Sequence, residues 1–138
     1  MKVFLDTNIL LDVLLARTPF LARSAEVLNL CAASAVAGYA SVLSFTTAAY
    51  VLRKGHTPEQ TRGYLNSLCA IVTPVGCSAG ILKHALAASL PDFEDAIQLF
   101  CAKACGADYL VTRNAKDFTE ADLAVVSPEE FLALHAIR

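Results

Sequence analysis

Near the N-terminus the chain reads Val3-Phe4-Leu5-Asp6-Thr7-Asn8, and this pattern is the strongest indication of the fold class. Three consecutive apolar residues that stop abruptly at an acid are typical of a short buried strand. Asp6, Thr7 and Asn8 can each cap a helix, and residues 9–16 that follow have helical spacing. The chain therefore opens with a strand that leads directly into a helix.

The rest of the chain continues this alternation. Further strands are predicted at residues 38–41, 70–75 and 109–112, with a weaker one at 123–126. Helices are predicted at residues 20–35, 45–54, 57–69, 78–89, 93–105 and 129–136. Because alternating strands and helices form a parallel sheet, we expect an α/β fold with about five strands and helices on both faces.

Length and composition narrow the class of protein. The chain has 138 residues, which predicts a single domain over residues 1–138. Apolar residues make up 56% and charged residues 17%, so intrinsic disorder is excluded. Eleven basic and thirteen acidic residues give a net charge of −2, and a polyanionic partner would therefore have to meet a local basic patch.

Neither a membrane span nor a disulfide framework is predicted. Residues 27–52 are uncharged, but Ser, Thr, Asn and Tyr and a central Gly38 favour several buried elements over one span. The N-terminus has no signal-peptide pattern, so the expected location is the cytoplasm. The five cysteines form no Cys-x-x-Cys pair and are expected to fill the core.

Three segments send polar oxygens to one edge of the predicted sheet, where the carboxyl ends of parallel strands meet and ligands bind. The first segment is Asp6, after the first strand. The second is Asp92, Glu94 and Asp95, at the start of the helix that leads to the fourth strand, and the third is Asn114 and Asp117, after that strand. Carboxylates in one cleft repel each other, and a multivalent cation relieves the repulsion. All-oxygen ligands favour Mg²⁺ or Mn²⁺, and two such ions can promote phosphodiester hydrolysis.

Each acid also has a purely structural interpretation. Asp6 and Asp92 suit helix caps, Asp95 suits the first turn of a helix, and Asp117 suits a turn. The functional interpretation is strongest for Asp95, whose apolar neighbours predict burial, where an unpaired charge is costly.

The cations leave similar alternatives open. Arg113 and Lys116 flank the polar residues of the last site segment, where phosphate contact and simple solvation are about equally favoured. Arg53 and Lys54 end a helix, where cations suit the helix dipole as well as they suit phosphate.

The order and spacing of three motifs resemble the PIN-domain nucleases over nearly the whole chain. The motifs are Val3-Phe4-Leu5-Asp6-Thr7-Asn8, Phe93-Glu94-Asp95-Ala96 and Val111-Thr112-Arg113-Asn114-x-x-Asp117-Phe118. The resemblance implies a PIN-like three-layer sandwich. Many members of this size are VapC-like toxins, which are Mg²⁺- or Mn²⁺-dependent endoribonucleases, often dimeric and inhibited by a small antitoxin. The partners it implies are RNA, an antitoxin and a second copy of the chain.

By position, Asp6 and Asp95 resemble the first and third acids of the family's metal site, and Asp117 resembles a later acid. Asn114 stands where many members have an aspartate. Asn8 and Thr112 resemble supporting polar residues.

One departure concerns the helix after the second strand, where the family usually has a glutamate. Thr47 stands at about that position, and no acid occurs between Glu26 and Glu59. Four consequences are open. The site binds its metal more weakly, a water replaces the missing glutamate, Asp92 or Glu94 takes its place, or the site is inactive. A non-catalytic PIN-like module that binds RNA or a protein therefore remains the alternative function. An aspartate phosphotransferase is a weaker one, because it would need an acid at position 8 or after the third strand.

Overall fold

A computed structural model of the protein describes residues 1–119 and 121–136. Within them, five strands form one sheet: β1 (Lys2–Leu5), β2 (Ala37–Ser41), β3 (Val72–Val75), β4 (Tyr109–Val111) and β5 (Ala124–Val126). Every neighbouring pair is parallel, and the strand order is β3-β2-β1-β4-β5. The first strand of the chain is thus the centre of the sheet.

Helices cover both faces of this sheet. They are α1 (Thr7–Leu14), α2 (Leu21–Ala32), α3 (Val42–Leu52), α4 (Pro58–Cys69), α5 (Ala79–Ala87), α6 (Phe93–Ala104) and α7 (Pro128–Ala136). Apolar residues of α1, α2, α3, α4 and α7 form one core, and those of α5 and α6 form the other. The predicted α/β three-layer architecture is confirmed.

The opening stretch belongs to both cores. Val3 and Leu5 pack into the core under α1 and α2, whereas Phe4 packs into the core under α5 and α6. All three side chains are fully buried. A strand buried on both faces needs a continuous apolar run, which is the pattern that the sequence shows at this point.

Helix α3 begins at Val42, three residues before the predicted start. The Ser41 hydroxyl accepts a hydrogen bond from the Leu43 backbone N–H at 3.1 Å and caps the helix there. Thr47 consequently lies in the second turn of α3 and not at its start.

Strand β3 begins at Val72 and not at residue 70. The Ala70 and Ile71 N–H groups donate to the carbonyls of Asn66 and Leu68, so these residues complete the end of α4. Among the described helices, none has the length and apolar character that a bilayer crossing requires. Cys31 and Cys101 are buried as predicted, but core filling is wrong for Cys69, which is exposed at the end of α4.

Candidate functional site

The carboxyl ends of β1 and β4 and the start of α6 surround a cavity of about 300 Å³. Five acids line it: Asp6, Asp92, Glu94, Asp95 and Asp117. Three of the other predicted residues line it as well: Asn8, Thr47 and Asn114. The topology thus brings together the three acidic segments that are far apart in sequence. We call this space the acid cavity.

Asp6 is the most enclosed of these acids, with 5% of its surface exposed. It caps α1, and its Oδ1 accepts hydrogen bonds from the Thr7 N–H at 2.8 Å and from Gln98 Nε2 at 3.0 Å. Its Oδ2 accepts a bond from the Thr112 hydroxyl at 2.7 Å. Asp6 therefore caps α1 and lines the cavity at the same time, and these hydrogen bonds fix the position of its carboxylate.

Gln98 is a site residue that the sequence interpretation missed. Its Nε2 also lies 3.3 Å from Thr7 Oγ1 and 3.1 Å from Ser44 Oγ, and these two hydroxyls are 2.6 Å apart. Gln98 is buried on α6, one turn after Asp95. The available signal was a lone polar residue within the apolar run 96–102 of a helix that packs against the sheet.

Asp95 lies in the first turn of α6 and is half-buried, so the burial that its apolar neighbours predict is only partial. Those neighbours face the core, whereas Asp95 forms the cavity wall. Asp92 caps the helix by accepting the Asp95 N–H at 3.0 Å. The pKa of Asp95 is raised to about 7, first by burial and then by the nearby carboxylates of Asp92, Asp6, Asp117 and Glu94, in that order.

The segment after β4 is attached to α1 by side chains. Thr112 is fully buried, and its Oγ1 accepts the Asn114 N–H at 3.1 Å. The Asn8 amide lies 3.4 Å from Thr112 Oγ1, and its Oδ1 accepts the Arg113 N–H at 3.4 Å. Asn8 and Thr112 thus support the exposed 3₁₀ turn at Ala115–Asp117, which carries Asp117.

Arg113 does not line the acid cavity. Its Nε lies 2.9 Å from Asp12 Oδ2, and its guanidinium stacks 3.8 Å from the centre of the Phe20 ring. Asp12 is fully buried in α1 and also accepts a bond from the Ser24 hydroxyl at 3.0 Å. Lys116 is exposed on the 3₁₀ turn. Phosphate contact by either cation stays a prediction, and Arg113 already has a structural partner.

Thr47 lines the acid cavity at the wall formed by α3. Its hydroxyl donates to the Leu43 carbonyl at 3.0 Å, one turn earlier in the same helix. The α3 wall of the cavity therefore carries a neutral side chain, whereas the three other segments that line the cavity each carry a carboxylate.

The side chains that line the acid cavity are of the chemical types that bind a hard divalent cation. They supply carboxylate, amide and hydroxyl oxygens, which are the donors that Mg²⁺ and Mn²⁺ prefer. Burial raises the pKa of Asp95 most and the neighbouring carboxylates raise it as well, and bound positive charge would favour the ionised form. In the part of the chain that the structure describes, however, no three His, Cys, Asp or Glu side chains already enclose a metal position. The side chains would have to turn inward to do so.

Comparisons with known proteins identify the family and the fold of the chain. The family model described as PIN domain matches residues 2–116. A toxin–antitoxin complex from Klebsiella pneumoniae contains a chain that is 26% identical, with a TM-score of 0.67 over 91% of this chain and 97% of that one.

Two further structures share the fold. VapBC2 from Rickettsia felis, bound to a promoter DNA fragment, matches at 20% identity and a TM-score of 0.68, over 92% of this chain and 98% of its own. VapBC-1 from nontypeable Haemophilus influenzae matches at 19% identity and a TM-score of 0.69, over 94% and 99%. Among curated proteins, none matches significantly. Since the family model matches residues 2–116 of the 138, the chain belongs to the PIN domain family.

Proposed function

We propose that this protein is a metal-dependent endoribonuclease that uses Mg²⁺ or Mn²⁺ to hydrolyse RNA phosphodiester bonds. The observation that carries the proposal is the acid cavity, in which carboxylates from β1, α6 and the segment after β4 face one another. The raised pKa of Asp95 supports it, because a cluster of repelling carboxylates is a favourable place for a divalent cation.

Asp6, Asp95, Asp117 and Asn114 are the residues that would hold the ion. When bound, it would supply an activated water and stabilise the leaving oxygen of the phosphodiester. Asp6 is fixed for this task by Gln98 and Thr112, which each donate to one of its oxygens. Fixed ligands favour catalysis because they do not reorganise during the reaction.

The remaining ligands are less constrained. Asn8 and Thr112 position the segment that carries Asn114 and Asp117. Asp92 or Glu94 would supply the charge that Thr47 lacks, since both line the same cavity. Asp92 would do so while it also caps α6.

We further propose that the protein is the toxin of a type II toxin–antitoxin pair. In this proposal it acts in the cytoplasm as a homodimer and is inhibited by a small antitoxin. Support comes from the solved structures that share its fold, which are toxin–antitoxin complexes. A short reading frame for a DNA-binding protein beside the gene, whose product suppresses cleavage by the purified protein, is the expected partner.

The second candidate is a PIN-like module that binds RNA or a partner protein without cutting. The neutral Thr47 at one wall of the acid cavity favours it, as does the lack of three enclosing ligands within the described residues. The aspartate phosphotransferase, the weakest of the alternatives from the sequence, is dropped because the chain belongs to the PIN domain family.

A cleavage assay separates these candidates. Purified protein is incubated with single-stranded RNA, structured RNA and DNA of the same sequence, each with Mn²⁺, Mg²⁺ or EDTA. We expect RNA cleavage that requires the metal and is lost in Asp95→Asn. Asp122→Asn is the matched control, since Asp122 is an exposed acid that pairs with Lys103 outside the cavity. Binding without cleavage under every condition would favour the non-catalytic module.

A thermal shift experiment tests the metal site without relying on activity. A ligand that binds only the folded state stabilises it by mass action. Mn²⁺ should raise the melting temperature of the wild type and of Asp122→Asn, but not that of Asp6→Asn or Asp95→Asn. Equal shifts in all four proteins would rule out the acid cavity as the binding site.

A further inference from the structure

A second polar surface lies at the corner between α3 and α4. It consists of Tyr50, Arg53, Lys54, Arg62 and Tyr64, and we call it the basic–aromatic surface. All five residues are exposed, and the two tyrosines expose 61% and 45% of their surface. A groove of about 400 Å³ between the helices is lined by Arg53 and Arg62, together with His56.

Within the described residues, the arginines of this surface have no acidic partner. Arg23 pairs with Glu26, Lys103 with Asp122 and Arg113 with Asp12. Among the ion pairs of residues 1–119 and 121–136, none involves Arg53 or Arg62. Glu59 is the single acid in residues 42–69 of the sequence. The surface is thus locally positive in a chain whose net charge is −2.

The aromatic rings are placed next to the cations. The Arg53 guanidinium lies 4.1 Å from the centre of the Tyr50 ring, and the His56 ring meets the Tyr64 ring edge-on at 5.3 Å. The helix dipole accounts for cations at the end of α3 but not for two exposed tyrosines beside them. Cations for phosphates combined with rings on which bases stack are the elements that bind single-stranded nucleic acid.

Helix α3 connects this surface to the acid cavity. Thr47, Tyr50 and Arg53 are spaced three residues apart, so each lies about 60° around the helix axis from the one before it, and Arg53 lies about 120° from Thr47. Thr47 lines the acid cavity, and Arg53 lies about 9 Å of helix rise beyond it. A single strand with a phosphate at the cavity could therefore continue onto the surface within a few nucleotides.

The acid cavity itself offers little attraction to phosphate. Five acids line it, and Arg113, the nearest arginine in sequence, is paired with Asp12. We propose that the basic–aromatic surface binds the single-stranded RNA substrate beside the cavity, with Arg53 and Arg62 on phosphates and Tyr50 stacked on a base. This inference rests on the proposed nuclease function for the identity of the ligand.

The test is the affinity of a fluorescently labelled single-stranded RNA, measured by anisotropy in EDTA so that no cleavage occurs. We expect Arg53→Gln/Arg62→Gln to weaken binding by about tenfold and to reduce the slope of log affinity against log salt by about 1.4, since each lost phosphate contact removes about 0.7. The matched control is Arg23→Gln/Lys83→Gln, which removes two positive charges from α2 and α5 and should change both quantities little.

The stacking role has its own variant. Tyr50→Ala should weaken RNA binding by about fivefold or more without changing the salt slope, because a lost ring removes no counterion contact. Leu86→Ala, an exposed residue on α5, is the control. Melting temperatures close to that of the wild type would exclude unfolding as the cause in all variants.

The outcomes distinguish this inference from the proposed function. A wild type that binds RNA through Arg53 and Arg62 but never cuts supports this inference and removes the nuclease proposal. A wild type that cuts RNA while the double variant binds and cuts normally overturns the inference alone. A third outcome uses labelled polyglutamate as the probe. If polyglutamate binds the wild type but not the double variant, while RNA binds both equally, the surface binds an acidic protein and the inference is overturned.

Discussion

Gln98 Nε2 lies 3.0 Å from Asp6 Oδ1 and joins the second turn of α6 to the end of β1. The two residues are 92 positions apart in sequence and both are buried. Asp6 is the first acid of the site, and a buried carboxylate is costly unless donors satisfy its oxygens. Gln98 therefore acts as a positioning residue, because it holds a wall of the acid cavity without lining that cavity itself.

Replacement of Gln98 should destabilise the protein. Gln98→Leu leaves Asp6 Oδ1 with only the Thr7 N–H, and we expect a loss of about 1–3 kcal/mol in the free energy of unfolding. Gln98→Glu should cost more at neutral pH, because it places a second carboxylate beside Asp6. Urea unfolding measures both. Asn66→Leu, at an exposed site on α4, is the control and should shift stability by less than about 0.5 kcal/mol. A Gln98→Leu protein as stable as the control would show that the hydrogen bond contributes nothing.

The ion pair between Arg113 and Asp12 should matter for stability. Arg113→Ala leaves a carboxylate that is fully buried, and removal of one partner from such a pair costs about 3–5 kcal/mol. The double variant Asp12→Ala/Arg113→Ala removes both charges and should be more stable than Arg113→Ala alone. Unfolding of the four proteins in a double-mutant cycle measures the coupling. Additive effects would mean that the two side chains do not interact in solution.

Lys116→Ala, together with the double variant at positions 12 and 113, tests whether the segment after β4 contacts phosphate. Lys116 is exposed and forms no ion pair with the residues that the structure describes, so Lys116→Ala tests RNA binding with little expected change in stability. We expect weaker binding and a shallower salt dependence in Lys116→Ala. If the double variant at positions 12 and 113 binds RNA as the wild type does, Arg113 is structural only.

The sequence predicted the elements that depend on local patterns. The apolar run before Asp6 defined the central strand, and the order of strands and helices placed Asp95 and Asp117 at the same sheet edge. Gln98 and the partner of Arg113 could not be predicted, because their contacts join positions 92 and 101 residues apart through helix packing. The start of α3 was misplaced because Ser41 and Ser44 are both able to cap a helix, and only the packed structure selects Ser41.

The raised pKa of Asp95 predicts a pH dependence of stability in EDTA. The pKa is about 7 in the folded protein and about 3.8 when the carboxyl is unperturbed. The folded state therefore binds more protons between these values, and stability should fall as the pH rises from about 4 to about 7. Asp95→Asn removes this contribution and should flatten the curve, which urea unfolding across the pH range measures. A wild type and variant with the same slope would contradict the raised pKa of Asp95.

Thr47→Glu tests the neutral wall of the acid cavity. Thr47 lines the cavity together with Asp6 and Asp95, but its hydroxyl supplies no charge to balance a divalent ion. An added carboxylate should tighten Mn²⁺ binding by about tenfold or more, because an attraction at close range exceeds about 1.4 kcal/mol. It should also raise cleavage where the rest of the site is competent. In EDTA the same change should destabilise the protein, because one more carboxylate joins a cluster of like charges.

The opposed effects with and without Mn²⁺ separate this prediction from a general surface effect. Thr46→Glu is the matched control, since Thr46 is the preceding residue of α3, is exposed and does not line the acid cavity. Thr46→Glu adds the same charge but should leave two quantities nearly unchanged: the Mn²⁺ affinity, and the difference in stability between Mn²⁺ and EDTA. Calorimetric titration of Mn²⁺ into the wild type and both variants measures the affinities. If Thr47→Glu binds Mn²⁺ no more tightly than Thr46→Glu, position 47 does not stand where a metal-binding acid would act.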